Sequence, residues 1–305
     1  MPFTRTSSGG RAQQPSPRRR FPNRPALPIR GKVISIVNRS SQATLQRRAQ
    51  RKLTWPGVAR STADRDRTML DVIGFDGDDT LWDNETHYLQ AKRACADLLP
   101  RKTALEQVGR TVDDISIHNA AVYGVGIKSF TLSMVEAAIK LSNGQIQASQ
   151  IQAIHNLGKR MLAADVVLFD RVSETLAKLS QPFGLMLITK GDLFEQQAKT
   201  DRSGLASHFD RVEVVPDKTP SMYRRILEKY TVEPSRFLMV GNPVRSDVLP
   251  VLEIGGRAAY IPYEHTWAHE RSADDRLPSQ GCHQLEHLAQ LPALVEMISP
   301  EQEGA

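Results

Sequence analysis

The sequence of 305 residues predicts an α/β fold, in which a doubly wound parallel sheet carries an inserted α-helical subdomain and follows a disordered N-terminal tail. Three observations lead to this prediction. Charged residues are distributed unevenly along the chain, short apolar runs recur at intervals, and a long block with helical spacing separates the first run from the second. The tail, the sheet and the insertion each follow from one of these observations.

The N-terminal segment, residues 1–68, is rich in Arg, Ser, Gln and Pro. Residues 1–63 hold 14 Lys and Arg but no Asp or Glu, which leaves a net charge of −8 in residues 64–305. Such a segment cannot bury enough apolar surface to offset its ordering entropy, so we expect it to be disordered. It matches an organellar transit peptide in composition, and a translation start at Met69 explains it at least equally well. The acidic body does not favour a specific nucleic acid as partner.

Cysteine content and hydropathy indicate the cellular compartment in which the protein is expected. Two cysteines, Cys95 and Cys282, are too few for a disulfide framework and fit a reducing cytoplasm. No apolar run approaches the ~18 residues that a membrane span requires. We therefore expect a cytoplasmic protein, or an organellar one if residues 1–68 are a transit peptide. The sequence leaves the oligomeric state open.

Five short and almost entirely apolar runs are each followed by turn residues and a helical pattern. They are Val72–Phe75, Leu185–Ile188, Val212–Val215, Phe237–Val240 and Ala258–Ile261. Such continuous apolar strands, separated by helices, are typical of a parallel sheet that is covered on both faces. The sequence thus predicts a doubly wound core formed by residues 69–83 and 166–305.

The helical insertion is predicted between the first two runs, at residues 84–165. Its apolar residues form three stripes: Tyr88, Ala91, Cys95 and Leu98; Phe130, Met134, Ala137 and Leu141; Ile151, Ile154, Leu157 and Met161. A block of this length is too long for a simple crossover connection. We expect it to lie over the carboxyl ends of the strands, where open α/β sheets bind ligands.

Three carboxylates follow the first apolar run within four positions, at Asp76, Asp78 and Asp79. In a dry site they would repel one another unless a cation or a proton neutralised them. A polar turn that caps a helix is the alternative explanation. Their place after a strand, at the edge of the sheet where ligands bind, favours a functional role.

The segment Phe75–Trp82 resembles the first motif of the haloacid dehalogenase-like superfamily, Asp-x-Asp-x-Thr after a hydrophobic strand. Three further segments resemble its other motifs and occur in the family's order: Ile188–Gly191, Asp217–Pro220 and Val240–Asp247. Each motif is weak alone, whereas all four in order on one strand pattern are specific. The resemblance covers about residues 70–262.

The resemblance implies a phosphohydrolase that works through an aspartyl-phosphate. Asp76 would be the nucleophile, and Asp78 the general acid and base that serves the leaving oxygen and then water. Thr189 would hydrogen-bond the phosphoryl group, and Lys218 would compensate its charge. Asp79, at a position where the family often has glycine, is expected to be structural.

The resemblance also implies a Mg²⁺ cofactor. Asp76, the backbone carbonyl of Asp78, and Asp247 would supply the protein ligands, together with water and phosphate. Asn242 departs from the family pattern, because many relatives carry Asp at this position. It keeps an oxygen but removes one negative charge, so we expect metal binding to persist.

Substrate binding is expected at two places. Lys190 and Gly191, after the second strand, would assist Thr189 in holding the phosphoryl group. The segment Tyr123–Ser129 contains two glycines that permit a close approach, and Lys128 could meet a second anionic group. A loop between helices with a solvated lysine explains this segment equally well.

The substrate is expected to be a small phosphorylated metabolite. The family's dehalogenases use no metal and lack the second aspartate, so Asp78 argues against that chemistry. Phosphomutases share the phosphatase motifs and remain an alternative. A catalytically silent binding protein of the same fold and a nucleic-acid-binding protein are further alternatives, which the intact motifs and the acidic body disfavour.

Overall fold

The computed structural model describes residues 70–99, 103–264, 270 and 277–299. The predicted disorder of residues 1–68 and the alternative start at Met69 lie outside these ranges. None of the helices in the described ranges combines the length and the apolar character needed to cross a membrane.

The core of the protein is a parallel sheet of six strands within the described residues. The strands are β1 (Val72–Phe75), β2 (Gly184–Lys190), β3 (Arg211–Val215), β4 (Phe237–Gly241), β5 (Arg257–Tyr260) and β6 (Cys282–Gln284). They are arranged in the order β3-β2-β1-β4-β5-β6, which confirms the predicted doubly wound sheet. All five predicted apolar runs form strands, whereas β6, short and partly polar, was not predicted.

The strand residues alternate between two hydrophobic clusters, one on each face of the sheet. Ile73 and Phe75 of β1 belong to one cluster, and Val72 belongs to the other. The same alternation in β2 places Leu185 and Leu187 on the first face and Met186 on the second. Because both faces are buried, the runs read as continuously apolar.

Four helices follow β1 and form the insertion. They are α1 (Glu85–Asp97), α2 (Leu105–Tyr123), α3 (Ile127–Leu141) and α4 (Ala148–Ala163). Their buried apolar side chains form a hydrophobic cluster separate from those of the sheet. The three predicted stripes lie on α1, α3 and α4. Helix α2 was not predicted, although Val108, Val112 and Ile115 are buried on one of its faces.

The chain leaves the core and returns to it through two adjacent segments. The Asp83 N–H donates to the Val167 carbonyl (3.0 Å), and the Phe169 N–H donates to the Leu81 carbonyl (3.0 Å). These bonds pair the outgoing and incoming segments, so they fix where the insertion begins and ends. Trp82, whose side chain is buried, lies in the outgoing segment.

The remaining helices cover the sheet. They are α5 (Val172–Leu179), α6 (Leu193–Arg202), α7 (Pro220–Tyr230), α8 (Leu249–Glu253) and α9 (Leu291–Ile298). Apolar residues of α5 and α9 join the cluster on one face, and those of α7 join the cluster on the other. Helices on both faces explain how every strand of the sheet centre is shielded from water.

Candidate active site

A cavity lies where the insertion meets the carboxyl ends of the strands, and both regions contribute to its lining. Asp76, Thr189 and Asn242, which follow or end β1, β2 and β4, form part of it. Helices α1, α2 and α3 of the insertion, helix α6 and the loops that follow the strands contribute further lining residues. Strands β1 and β4 are neighbours on the two sides of the point where the strand order reverses, which is where such sheets bind ligands.

A single buried lysine joins two carboxylates in this cavity. The Lys218 Nζ lies 2.6 Å from Oδ1 of Asp76 and 2.7 Å from Oδ1 of Asp247. The N–H of Gly77 donates to the same oxygen of Asp76 (2.8 Å). Three of the residues expected to form the site are therefore in direct contact, although they lie in separate motifs along the chain.

The directions of the pKa shifts show how these charges act on one another. Burial alone would lower the pKa of Lys218, but the carboxylates of Asp247 and Asp76 raise it, so the ammonium stays charged. Burial and the negative charge of Asp76 raise the pKa of Asp247, against the opposing effect of Lys218. One cation compensates two acids, which leaves a negative charge that a further cation could neutralise.

Local structure explains how Lys218 and Asp247 reach this point. Thr219 accepts from the Met222 N–H (3.2 Å) as N-cap of α7, and Pro220 follows at its first turn, so Lys218 stands just before the helix. Asp247 lies in a π-helical turn, Val244–Val248. Its carboxylate packs directly on Gly241, where a Cβ atom would come within 2.0 Å of Oδ2 of Asp247, so only glycine fits there.

The oxygens in this cluster fit Mg²⁺. Oδ2 of Asp247 is buried and has no hydrogen-bond partner in the described residues. Asp76 and Asn242 line the same cavity, and Oδ1 of Asn242 accepts from the Thr80 hydroxyl (3.2 Å). No group of three or more His, Cys, Asp or Glu that could hold a metal occurs in the described residues. Mg²⁺ needs fewer, because it usually binds one or two carboxylates and keeps several waters.

Asp78 lines the cavity but its carboxylate is held by three donors. Trp82 Nε1 donates to Oδ1 (2.6 Å), Gln196 Nε2 donates to Oδ2 (2.9 Å), and Lys199 Nζ lies within 3.1 Å of both oxygens. Lys199 and Gln196 belong to α6 and were not predicted as site residues. Their sequence signal is weak, because polar residues at helical spacing usually lie on a solvated face.

Asp79 shapes the turn that leads into the insertion. Its φ is +60°, in the left-handed region that favours glycine, which explains the family's frequent glycine there. Its Oδ1 accepts from the N–H groups of Asn84 (2.9 Å) and Glu85 (3.0 Å) at the start of α1. Burial raises the pKa of Asp79 to about 7. These contacts agree with the structural role expected for Asp79.

Of the three residues at the end of β2 that were expected to bind the phosphoryl group, two line the cavity and one does not. Thr189 is fully buried and its hydroxyl lies 3.2 Å from Oε1 of Gln196. Lys190 lines the cavity, where its ammonium pairs with Glu270, a residue that the sequence analysis did not single out. Gly191 is outside the lining, and its N–H donates to the Val215 carbonyl (3.1 Å). The phosphoryl-binding role of Gly191 therefore stays a prediction. Its backbone N–H could bind a phosphoryl oxygen only by giving up the bond to Val215.

Lys128 does not line the cavity, although Gly124 and Gly126 beside it do. Its ammonium binds both carboxylate oxygens of Asp192 (2.9 Å each), at the N-cap of α6, and its side chain is 52% exposed. The contact joins the insertion to the core. The substrate-binding role of Lys128 thus stays a prediction, without a contact in the cavity.

A second, buried contact between insertion and core was not predicted. Glu195 of α6 accepts from the Ile127 N–H at the start of α3 (2.8 Å) and pairs with Lys199 (3.1 Å). A Cβ atom on Gly126 would come within 2.8 Å of the Glu195 carboxylate, so the glycine permits this close approach. Because Lys199 also binds Asp78, this network connects α3 to the cavity.

Comparison with known proteins agrees with this geometry. The family model of the haloacid dehalogenase-like hydrolases matches residues 70–252. A haloacid dehalogenase-like family hydrolase from Xanthomonas campestris is 36% identical with a TM-score of 0.68, covering 77% of this chain and 94% of that one. The chain belongs to the haloacid dehalogenase-like hydrolases, as the motifs indicated.

More distant structures share the fold. A 2-haloacid dehalogenase from Pseudomonas syringae is 22% identical with a TM-score of 0.52, covering 75% of this chain and 99% of that one. The Bacillus subtilis hydrolase YfnB, described as bound to magnesium, is 15% identical with a TM-score of 0.56, covering 74% and 99%. No curated protein matches the chain.

Proposed function

We propose that this hydrolase is a Mg²⁺-dependent phosphatase that removes phosphate from a small phosphorylated metabolite through an aspartyl-phosphate on Asp76. The observation that carries this proposal is the buried cluster in which Lys218 contacts both Asp76 and Asp247. A phosphoryl group is highly charged, and a preorganised cation beside the nucleophile stabilises the charge that develops on its oxygens. The cavity above the cluster gives the substrate access.

In the first step, a carboxylate oxygen of Asp76 attacks phosphorus while the bond to the ester oxygen breaks. The Asp78 carboxylate, which Lys199 contacts in the structure, must be protonated for this step, and it then gives its proton to the departing alcohol. In the second step, the Asp78 carboxylate takes a proton from water, which attacks phosphorus and releases inorganic phosphate from Asp76. Lys218 holds the phosphoryl oxygens in both steps.

Mg²⁺ would be held by the carboxylates of Asp76 and Asp247, the backbone carbonyl of Asp78 and the amide oxygen of Asn242. When bound, it neutralises phosphoryl oxygens and orients the group for in-line attack. The unpartnered Oδ2 of Asp247 supports this assignment. Magnesium in the YfnB structure is consistent with it, although that protein shares only 15% identity.

Dehalogenation is the alternative within this family, since several proteins of similar fold are haloacid dehalogenases. A halide leaves without taking a proton, whereas the alcohol that leaves a phosphate ester needs one. Asp78 lines the cavity together with Asp76 and can supply a general acid for the alcohol. The second aspartate therefore favours the phosphatase.

The purified protein should hydrolyse p-nitrophenyl phosphate in the presence of Mg²⁺, lose this activity in EDTA and regain it when Mg²⁺ is returned. The same preparation should release no chloride from 2-chloropropionate. Chloride release that persists in EDTA, without phosphate release from any monoester, would assign the protein to the dehalogenases instead.

A further inference from the structure

The insertion side of the cavity contains a buried carboxylate to which no described residue donates a hydrogen bond. Glu85, at the start of α1, is 7% exposed and lines the cavity. Within the described residues, its carboxylate makes no hydrogen bond or ion pair, whereas its backbone N–H donates to Asp79. Burial raises the pKa of Glu85 to about 8 despite the opposing charge of Lys92. Burial of this kind destabilises the charged carboxylate, and a hydrogen-bond donor in the cavity would satisfy it.

A second polar group on the lining of this cavity is also unsatisfied within the described residues. The Ser116 hydroxyl, on α2, is buried without a hydrogen-bond partner in the described residues, and Ser116 lines the same cavity. Buried hydroxyls nearly always have a partner. Glu85 and Ser116 therefore both offer acceptor oxygens to a ligand that donates hydrogen bonds.

The charge balance on this side is negative. Lys92 pairs with Asp113 (2.6 Å), so its ammonium is already compensated when Glu85 ionises. A ligand carboxylate or second phosphate would meet the uncompensated charge of Glu85, whereas a ligand cation would neutralise it. The insertion side thus selects against anionic leaving groups.

Aromatic rings complete the lining. Tyr88 and Phe130 both line the cavity, and their ring centroids are 4.6 Å apart. Aromatic faces attract cations and also pack against methylene groups. Rings beside an unpaired carboxylate are the combination that recognises an alkylammonium group.

We infer that Glu85 and Ser116, with the rings of Tyr88 and Phe130, form a subsite for a protonated amine carried by the alcohol portion of the substrate. The inference rests on the proposed function, because it places the amine on a phosphate monoester whose phosphoryl group lies at Asp76. It narrows the substrate to the phosphate esters of amino alcohols and related amines. Glu85 accepts the N–H bonds and supplies the opposite charge.

Binding of 2-aminoethylphosphonate and propylphosphonate to the full chain with Mg²⁺ tests this subsite by calorimetry. The two probes have the same chain length, and their P–C bond resists hydrolysis, so no turnover is needed. The amine should bind at least about tenfold more tightly, as expected for a hydrogen-bonded charge pair. The Glu85→Gln variant should lose most of this ratio, and Ser116→Ala should reduce it about twofold to threefold.

Glu106→Gln is the matched control, because Glu106 is exposed on α2 and pairs with Arg110 on the surface (3.3 Å). It should keep the wild-type ratio. Equal affinity of the wild-type protein for the two probes, or a ratio that Glu85→Gln leaves unchanged, would overturn the subsite. Ser116→Ala removes an unsatisfied hydroxyl and should fold. It therefore tests the subsite even if the Glu85→Gln variant fails to fold.

Turnover of O-phosphoethanolamine and propyl phosphate separates this inference from the proposed function. Hydrolysis of both esters with equal kcat/KM, and equal binding of the two phosphonates, would leave the phosphatase intact and overturn the subsite. A Glu85-dependent preference for the aminophosphonate, with neither ester hydrolysed, would support the subsite and contradict the phosphatase. A preference for the amine in both assays is the expected result.

Discussion

The two sides of the cavity use buried charge in opposite ways. On the core side, Lys218 compensates Asp76 and Asp247 at distances below 3 Å. On the insertion side, the Glu85 carboxylate and the Ser116 hydroxyl have no hydrogen-bond partner among the described residues. A preorganised cluster suits a chemical step that is the same for every substrate. Unsatisfied polar groups gain hydrogen bonds only from a ligand with matching donors, so they favour one substrate over another. The difference assigns chemistry to the core and selection to the insertion.

The largest effect is expected for Lys218→Met, which removes the cation between the two buried acids on the core side of the cavity. We expect a loss of about a thousandfold or more in kcat, because Lys218 stabilises the phosphoryl charge in the transition state. The free energy of unfolding should fall by about 3 to 5 kcal/mol, since the variant leaves buried charge uncompensated. Steady-state kinetics and urea unfolding measure the two effects.

A double variant, Lys218→Met with Asp247→Asn, is the matched control for that experiment. It removes one acid together with the lysine, so most of the lost stability should return while the activity does not. Stability that stays low in the double variant would show that Lys218 acts through packing rather than through its charge.

The link between the two sides is tested by Lys199→Met. Lys199 binds Asp78, Glu195 and Asn84, so its loss frees the Asp78 carboxylate and weakens the contact to α3. We expect kcat to fall about tenfold to a hundredfold on every ester, as for a displaced general acid. Lys178→Met, at an exposed position of α5, should keep the wild-type rate. An unchanged kcat in Lys199→Met would show that Asp78 needs no support from α6.

The pH dependence of the free energy of unfolding tests whether the Glu85 carboxylate is buried without a hydrogen-bond donor. The pKa of Glu85 is about 8 in the folded protein and 4.5 ordinarily, so between these values the unfolded chain loses a proton that the folded chain keeps. Stability due to this group therefore falls as the pH rises through that window. Glu85→Gln should gain about 1 to 3 kcal/mol relative to wild type between pH 5 and pH 8.5.

Glu174→Gln controls for the position of Glu85 in the first turn of a helix. Glu174 is in the first turn of α5 and exposed, so its substitution removes only the favourable interaction with the helix dipole. Urea unfolding at the two pH values should give the same small loss in both. A Glu85→Gln effect that is likewise independent of pH would contradict the buried, unpartnered carboxylate.

The smallest effect is expected for Lys128→Ala. Lys128 belongs to neither side of the cavity, and its contact with Asp192 is half exposed. Such pairs contribute at most about 1 kcal/mol, so stability and the ranking of esters should change little. A change in ranking of tenfold or more would support the predicted substrate-binding role of Lys128. It would also mean that the insertion moves so that the Lys128 ammonium reaches the substrate.

The same comparison explains what the sequence could predict. The core side was predictable because each motif residue follows an apolar strand, and parallel strands bring their carboxyl ends together at one edge. The contacts of Asp76, Lys218 and Asp247 are thus consequences of topology. Even the fifth strand was predictable from its apolar run, while β6, with the partly polar sequence Cys282–Gln284, was not.

The insertion side could not be predicted in the same way. Glu85, Lys92 and Ser116 stand at helical spacings that normally place polar residues in water. Their burial depends on how α1 and α2 meet and on the core below them, which the periodicity of one helix does not encode. Lys199 was missed for the same reason. Helix α2 was missed because its buried positions are interrupted by many polar residues.

The most direct test of the central claim is to identify the phosphorylated residue during turnover. The wild-type protein and Asp76→Asn would be mixed with p-nitrophenyl phosphate and Mg²⁺, quenched in acid and analysed by peptide mass spectrometry. We expect a phosphoryl group on Asp76 in the wild-type protein, with neither label nor turnover in the nearly isosteric variant. A phosphoryl group on another residue, or turnover that survives in Asp76→Asn, would contradict the assignment of Asp76 as nucleophile.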